Sequence, residues 1–582
     1  GEVYSLYHKK CKQAGAMDFD DILLYTNLLF RDFPEELERL RSRFSFILVD
    51  EYQDTNYAQY LIIKKLAADH HNICVVGDDA QSIYSFRGAR IENILNFKKD
   101  YPDAREFRLE QNYRSTRTIV KAANSLIAKN SNQLEKRCFS SLAEGEKIKV
   151  VSAFTDQEEA FMVASSILSR IYQEKASYGD FAVLYRTNAQ SRAVEEALRK
   201  RSLPYKIYGG HSFYERAEVK DMISFLRLLL NKKDDEAFRR IVNVPPRGIG
   251  DTTLACLTAA ANAEGISLWD AMTSGQMSVM GIKPAAVNKL LLFASMISEI
   301  SEHIYCYNAY DVAMEVLVKS GYLDYLKSDI SVEGQARLDN VEELMNSIKA
   351  FVEEFEEAST DGDVDVEEGK IAPAVSLTNY VENISLLSSV DENNGQQDSN
   401  KISLMTVHSA KGLEFPYVYV IGMEENLFPS GSMSGINFND MEEERRLFYV
   451  AITRAKYSVT LSYAQSRFRW GSHVNYPVSR FLREIDLEFL DWPENPIQTI
   501  NPLEEMRNMH NRQLYHKPVD PDFKADSPSK LRVGQKVEHD RFGYGILLEL
   551  EGDQPNAKAI VDFEQGGRKT LLLKFAKLRV VE

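Results

Sequence analysis

The sequence is poor in several features that would have defined its class at once. Its five cysteines, Cys11, Cys74, Cys138, Cys256 and Cys306, are scattered with no CxxC spacing. That excludes a disulfide framework and a thiolate zinc site, and it fits a reducing cytoplasm. Nowhere do roughly 18 apolar residues run together, the length a membrane-spanning helix needs, and no signal-peptide pattern opens the chain. Positive charge is in deficit: 70 Lys and Arg stand against 86 Asp and Glu, for a net charge of −16. A uniformly basic coat is therefore excluded, and any nucleic-acid path must be a local basic groove on an acidic protein. A motif is missing too, since no G-x-x-x-x-G-K-[ST] phosphate loop occurs anywhere.

What is present begins with size. A chain of 582 residues exceeds what a single core supports, so several domains are expected. Hydrophobic content of 44% and charged content of 27% describe a globular protein. Four short apolar runs, at 46–49, 73–76, 181–184 and 418–421, each end in polar or glycine-bearing loops. They predict strands buried on both faces of parallel sheets covered by helices. Helical periodicity lies between them, for example over 160–173 and 192–201, giving the βα alternation of an α/β fold. Between 214 and 400 strand-like runs vanish and helical periodicity dominates, as over 219–230 and 337–355, which predicts a helical domain inserted into the second α/β unit.

Within that insert, residues 353–368 carry nine acids and 391–400 are rich in Asn, Gln and Asp; both predict solvated loops. Asp361, Asp363 and Asp365 imitate the start of a calcium loop, but Val366 and Ala372 stand where it needs glycine and glutamate. Residues 491–530 form a Pro- and Asn-rich linker, and 531–582 read as short strands and turns of a small β-barrel.

Two strand ends carry the first chemistry. The run 46–49 leads into Asp50 and Glu51; one carboxylate suits Mg²⁺ on a nucleotide and the other an attacking water. The run 73–76 leads through Gly77, Asp78 and Asp79 to Gln81, then to Tyr84, Phe86 and Arg87. Gln81 suits a γ-phosphate or its water. The two rings and the arginine suit stacked bases and a phosphate of a single strand, with core packing as the plainer alternative for the rings. Tyr113-Arg114 offers an aromatic face beside a cation. His408 and Lys411 offer donors to a nucleic-acid backbone, and Glu414 a carboxylate for a ribose. Residues 442–456 read as a helix that buries Leu447, Val450 and Ala451 and projects Arg454 into a cleft as an arginine finger.

These five segments, in this order, resemble motifs II to VI of the superfamily 1 helicases typified by UvrD, Rep and PcrA, and the resemblance spans essentially the whole chain. It implies two RecA-like parallel-sheet motor domains, the first of them incomplete, over 1–112 and over 113–213 plus 401–490. A helical accessory domain over 214–400, the linker 491–530 and a Tudor-like barrel over 531–582 complete the arrangement. By position, Asp50 would bind Mg²⁺, and Glu51 would be the catalytic base. Gln81 would couple the γ-phosphate to the DNA track, Tyr113 would stack on adenine, Arg114 and Arg454 would contact the γ-phosphate, and Glu414 would hold the ribose. Tyr84, Phe86 (where the family commonly has tryptophan), Arg87 and His408 would line the single-strand path. Gly248 and Gly250, in Arg247-Gly248-Ile249-Gly250, resemble the duplex-gripping turn, and Trp470 sits where the family places its strand-separating pin.

The expected activity is ATP-dependent 3′-to-5′ translocation on single-stranded DNA with duplex unwinding, in repair or replication, using ATP and Mg²⁺. The tail resembles the Tudor-like end domain of PcrA and UvrD, which implies RNA polymerase as a partner. Because the family's phosphate loop is not found and the chain opens at Gly1 within a helical pattern, a preceding segment is expected to be missing and the chain alone to be inactive. Two rivals stand beside this reading: a helicase–nuclease subunit of the AddA or RecB kind, and an inactive DNA-binding fragment.

Overall fold

The computed structural model describes residues 2–360, 377–392, 400–431, 438–492 and 530–581, apart from 209, 211, 276, 278–280, 471, 540–542, 552–557, 564–566 and 574–577. Two compact units emerge, residues 1–494 and 495–582. The predicted linker falls almost wholly outside the described residues, as do the calcium-like segment and 393–399.

The first unit holds a large, wholly parallel sheet of seven strands. In spatial order they are Leu490–Asp491, Ile148–Ala153, Ala455–Ala464, Phe415–Val420, Phe181–Tyr185, Ile402–Thr406 and Tyr205–Ile207. Phe181–Tyr185 shows why an unbroken apolar run belongs here. Ala182 and Leu184 face a core shared with helices Arg117–Ile127 and Phe438–Thr453. Phe181, Val183 and Tyr185 face the opposite core, shared with Asp156–Glu174 and Ser191–Lys200. Period-two alternation thus places every residue of the strand against helices. This is the α/β fold the sequence predicts.

The strands Ile47–Val49 and Ile73–Val75 differ. They pair in parallel, Ile47 opposite Ile73, but form a two-stranded sheet among the described residues. One face is left open among the described residues: Ile47 and Val49 are half-buried while Leu48 is 75% exposed. The expectation of burial on both faces fails for this pair, because an apolar run records that a strand meets a core but not how many layers cover it.

Between Ile207 and Ile402 the described residues hold helices and turns but no strand. Helices from Ala217–Leu230 to Leu377–Glu392 enclose a core of their own that includes Phe225, Phe238, Phe293, Val316 and Leu344. The acidic run is partly helical: Val332–Thr360 continues through residues 353–360, where glutamate is a good helix former, so the expected loop fails there, and 361–368 lie outside the described residues. No helix of the described residues is long and apolar enough to cross a membrane.

The second unit carries a five-stranded antiparallel sheet in the order Gly567–Leu572, Lys558–Phe563, Gly543–Glu551, Lys536–His539, Leu578–Val580. Val537, Leu547, Ala559 and Val561 form its core.

Candidate functional site

The ends of the two short parallel strands carry the acidic half of a cleft. Asp50 Oδ1 accepts from the Glu51 amide at 2.8 Å, and Glu51 adopts a left-handed φ of 50°. Behind them lies a residue that sequence reasoning missed. Gln53 is fully buried; its Nε2 donates to Glu51 Oε2 at 2.5 Å, and its Oε1 accepts from the Asp78 amide at 3.0 Å. It therefore ties the two strand ends together. Gly77 must approach closely for this, since a Cβ there would meet Gln53 Oε1 at 2.3 Å.

The other half comes from around the large sheet. Lys411 Nζ donates to Asp54 and, at 2.7 Å, to Gln81 O, and it lies 3.6 Å from Glu51 Oε2. It faces these carboxylates, where the sequence suggested a nucleic-acid backbone. Burial raises the Asp54 carboxyl above its ordinary value even against this ammonium. Lys136 also escaped notice, because no motif surrounds it. Its ammonium donates to Asp78 and, at 2.7 Å, to Asp79 Oδ1. Burial pushes Asp78 up, but Lys136, with Gln81 and the Ala80 amide, holds it below the ordinary carboxylate value.

Gln81 joins the halves. Its Nε2 donates to Asp78 Oδ2 at 2.8 Å, and its Oε1 accepts from Arg454 Nη2 at 3.3 Å. Arg454 is 2% exposed and further held by the carbonyls of Val450 and Leu413. Burial, then the nearby Arg114 charge, pushes its guanidinium down to about 10. Leu447, Val450 and Ala451 are buried as predicted, but helix Phe438–Thr453 ends before Arg454 and a strand begins at Ala455. Arg454 thus stands at a helix–strand corner and not on the predicted helix.

Arg114 and Glu414, read separately in the sequence, form an ion pair at 2.7 Å. Lys456 sits 2.9 Å from the other Glu414 oxygen, and these hydrogen bonds, first Lys456 and then Arg114, hold the carboxyl below its usual value. Tyr113 is 76% exposed beside them, its ring open to a ligand.

Around the corner lies an aromatic shelf. Ring centroids of Tyr84 and Phe86 are 6.1 Å apart, and those of Phe86 and His408 5.5 Å. The Arg87 guanidinium lies 5.6 Å from the Tyr84 centroid and 5.4 Å from that of Phe86. The core-packing alternative does not describe Phe86, which is 49% exposed; Ala80 and Ile83 do the packing, against the core of the large sheet. Tyr84 is intermediate, leaning on that core while its hydroxyl donates to His408 O at 3.3 Å. Burial, then the Arg186 charge, pushes the His408 imidazole down to about 4.

The remaining candidates lie apart from the cleft. Gly248, at φ 70°, and Gly250 are exposed on either side of buried Ile249, just before helix Asp251–Glu264. Trp470 stands with φ 47° at the end of strand Ser466–Arg469, which pairs antiparallel with Ser472–Asn475. It is half-buried against the helical core, and Gly471 beside it lies outside the described residues.

Comparison with known proteins falls on three stretches of the chain. The UvrD/REP helicase N-terminal domain matches residues 1–102, the UvrD-like helicase C-terminal domain 107–466, and the PcrA/UvrD tudor domain 533–579. The ATP-dependent DNA helicase PcrA of Staphylococcus aureus (strain Mu50 / ATCC 700699) is 39% identical over 585 residues, covering 100% of this chain and 76% of its own. The ATP-dependent DNA helicase PcrA of Staphylococcus epidermidis (strain ATCC 12228 / FDA PCI 1200) is 38% identical over 578 residues, covering 99% and 76%.

Proposed function

The chain belongs to the UvrD-like helicase family, and from that premise we propose that it serves ATP-driven 3′-to-5′ movement along single-stranded DNA with unwinding of duplex. The observation that supports this best is the Arg454–Gln81 contact at 3.3 Å, which joins the large-sheet module to the loop beyond the second acidic strand end. A group that touches both the γ-phosphate and Gln81 feels hydrolysis directly, and Gln81 lies three residues from the aromatic shelf at Tyr84.

In this reading Glu51 takes the proton of the attacking water, with Gln53 orienting its carboxylate. Arg454 and Arg114 stabilise charge on the γ-phosphate. Tyr113 stacks on the adenine, and Glu414 exchanges its Arg114 pair for the ribose while keeping Lys456. Asp50 is the Mg²⁺ ligand; a single exposed carboxylate suits an ion that arrives on a nucleotide and keeps its waters, and the ion would supply charge neutralisation at the phosphates. Tyr84, Phe86, Arg87 and His408 carry the single strand, Gly248 and Gly250 the duplex, and Trp470 the fork. Repair or replication is the setting. The tail, with nine basic and eight acidic residues over 531–582, suits a protein partner better than a DNA clamp, and RNA polymerase is the partner proposed.

No phosphate loop stands among these 582 residues, so the test places a UvrD/REP-type segment bearing one ahead of Gly1. DNA-stimulated phosphate release is expected from the fusion and not from the chain alone. Glu51→Gln and Arg454→Ala are expected to abolish it while sparing DNA binding, the loss of the arginine finger alone costing ~10³–10⁵ in rate. Variants within about tenfold of the parent would remove these roles. Strand displacement from 3′- and 5′-tailed duplexes reads the direction.

A further inference from the structure

Arg247 sits in the helical module, immediately before Gly248 and far in sequence from every residue of the cleft. Its guanidinium points inward. The two N–H groups of Nη1 are shared among the carbonyls of Ile241 at 3.1 Å and Val244, with Val242 and Pro245 at the edge of reach at 3.4 Å; Nη2 donates to Ser320 O at 3.1 Å. Its carbon lies 5.3 Å from the Phe293 ring centroid. Among the described residues no carboxylate answers this charge, and burial pushes the group down to about 10.

The carbonyls it collects are not arbitrary. Ile241 and Val242 end helix Asp235–Ile241, and Ser320 caps helix Ala309–Lys319. Those C-terminal carbonyls lack intrahelical donors and carry the negative end of the helix dipole. One planar, multi-donor group thus closes two helix ends together with the turn between them, a task for which a guanidinium is suited and an ammonium is not. The backbone amides beside it are fixed as well: Asn243 Oδ1 accepts from Arg247 N at 2.8 Å and Ile249 N at 3.1 Å. With Ile249 buried, the chain is pinned on both sides of Gly248, and the Gly248 and Gly250 amides are left without an acceptor among the described residues.

We propose that Arg247 is a positioning residue for duplex binding: by bracing two helix ends against the Gly248–Gly250 turn, it holds the turn's amides in the geometry that a DNA phosphate requires, without touching the phosphate. This rests on the reading of Gly248 and Gly250 as the duplex-gripping turn.

The test measures fluorescence anisotropy with the 582-residue chain, using a 3′-tailed duplex and the matching single strand, alongside thermal melting. Wild type is expected to bind the tailed duplex more tightly. Arg247→Met, which keeps an apolar stem over Phe293, is expected to lose that increment by on the order of tenfold while single-strand affinity stays unchanged. Arg247→Lys keeps the charge but cannot span both helix ends, and is expected not to restore it. Restoration by Arg247→Lys would overturn the proposal, because charge alone would then suffice; equal loss on both DNAs with a lowered melting temperature would overturn it in favour of a general structural role. Gly250→Val separates the two layers of inference, since no atom lies within 4 Å of a Cβ there and the added side chain stands beside the amides; because Gly250 also caps helix Asp251–Glu264, its melting temperature is followed alongside. If Gly250→Val abolishes the increment and Arg247→Met does not, the positioning role alone fails; if wild type shows no increment, the duplex-gripping reading fails with it.

Discussion

Lys136 and Asp79 meet at 2.7 Å with the aspartate side chain only 2% exposed, and the same ammonium also serves Asp78. Two consecutive carboxylates therefore depend on one cation that lies distant in sequence. Removing one partner of a buried pair typically costs about 3–5 kcal/mol, because the remaining charge is left unanswered. Lys136→Met is expected to lose stability of that order in urea at pH 7. The sign with pH follows from Asp78, whose folded carboxyl lies below the unfolded 3.8. Its contribution is full above that value and is lost as pH falls through the folded value, so the gap between wild type and variant should narrow below about pH 3.8.

His408 adds a second acid-side slope at higher pH. The unfolded ring titrates at 6.5, whereas the folded one waits until about 4. Between those values the unfolded chain binds a proton that the fold refuses. Stability is unaffected above pH 6.5 and falls as pH drops from there to about 4, by about 3 kcal/mol in all. His408→Gln should abolish this part of the slope, read as the difference between the two proteins in denaturant titrations across the window.

Phe86 tests the shelf. Replacing an exposed ring on which a base stacks costs about 1–3 kcal/mol of single-strand affinity. Phe86→Ala is expected to show that loss by anisotropy with an unchanged melting temperature, and Tyr84→Ala the same loss with some destabilisation, since that ring also leans on the core. Unchanged affinity in both would remove the shelf from the DNA path.

Glu414 separates structure from ligand binding. Its side chain is 44% exposed, so its pairs with Arg114 and Lys456 stabilise the fold by at most about 1 kcal/mol. Glu414→Gln should melt like wild type, yet bind ATP less tightly than the parent in the fusion carrying a phosphate loop. A clear fall in melting temperature would assign the carboxylate to the fold instead.

The parts of the site legible in the sequence are those set by one strand and its exit loop. Asp50, Glu51, Gln81 and the Tyr84–Phe86–Arg87 cluster follow runs of apolar letters, and strand ends are where an α/β sheet presents its groups. Gln53, Lys136 and Arg247 were not legible. Each works through partners chosen by tertiary packing: an amide facing the neighbouring strand, a carboxylate pair in another module, the carbonyls of two helix ends. No periodicity records such partners. Burial was legible only where both faces are covered, so Phe181–Tyr185 conformed and Ile47–Val49 did not.

Tyr205–Ile207 and Ile402–Thr406 are hydrogen-bonded neighbours that run in the same direction. Parallel neighbours cannot be joined by a tight turn and ordinarily require a crossover of about a dozen or more residues, usually one helix. The helical module fills the position of that single connection. It is an overgrown loop, tethered by two chain crossings and by ion pairs such as Arg192–Glu343 at 2.6 Å, and with those partners replaced a helix of ordinary length would close the same connection. A minimal version with such a link between Ile207 and Ile402 would keep every strand and every residue of the cleft and the shelf. It would discard Gly248, Gly250 and Arg247 together.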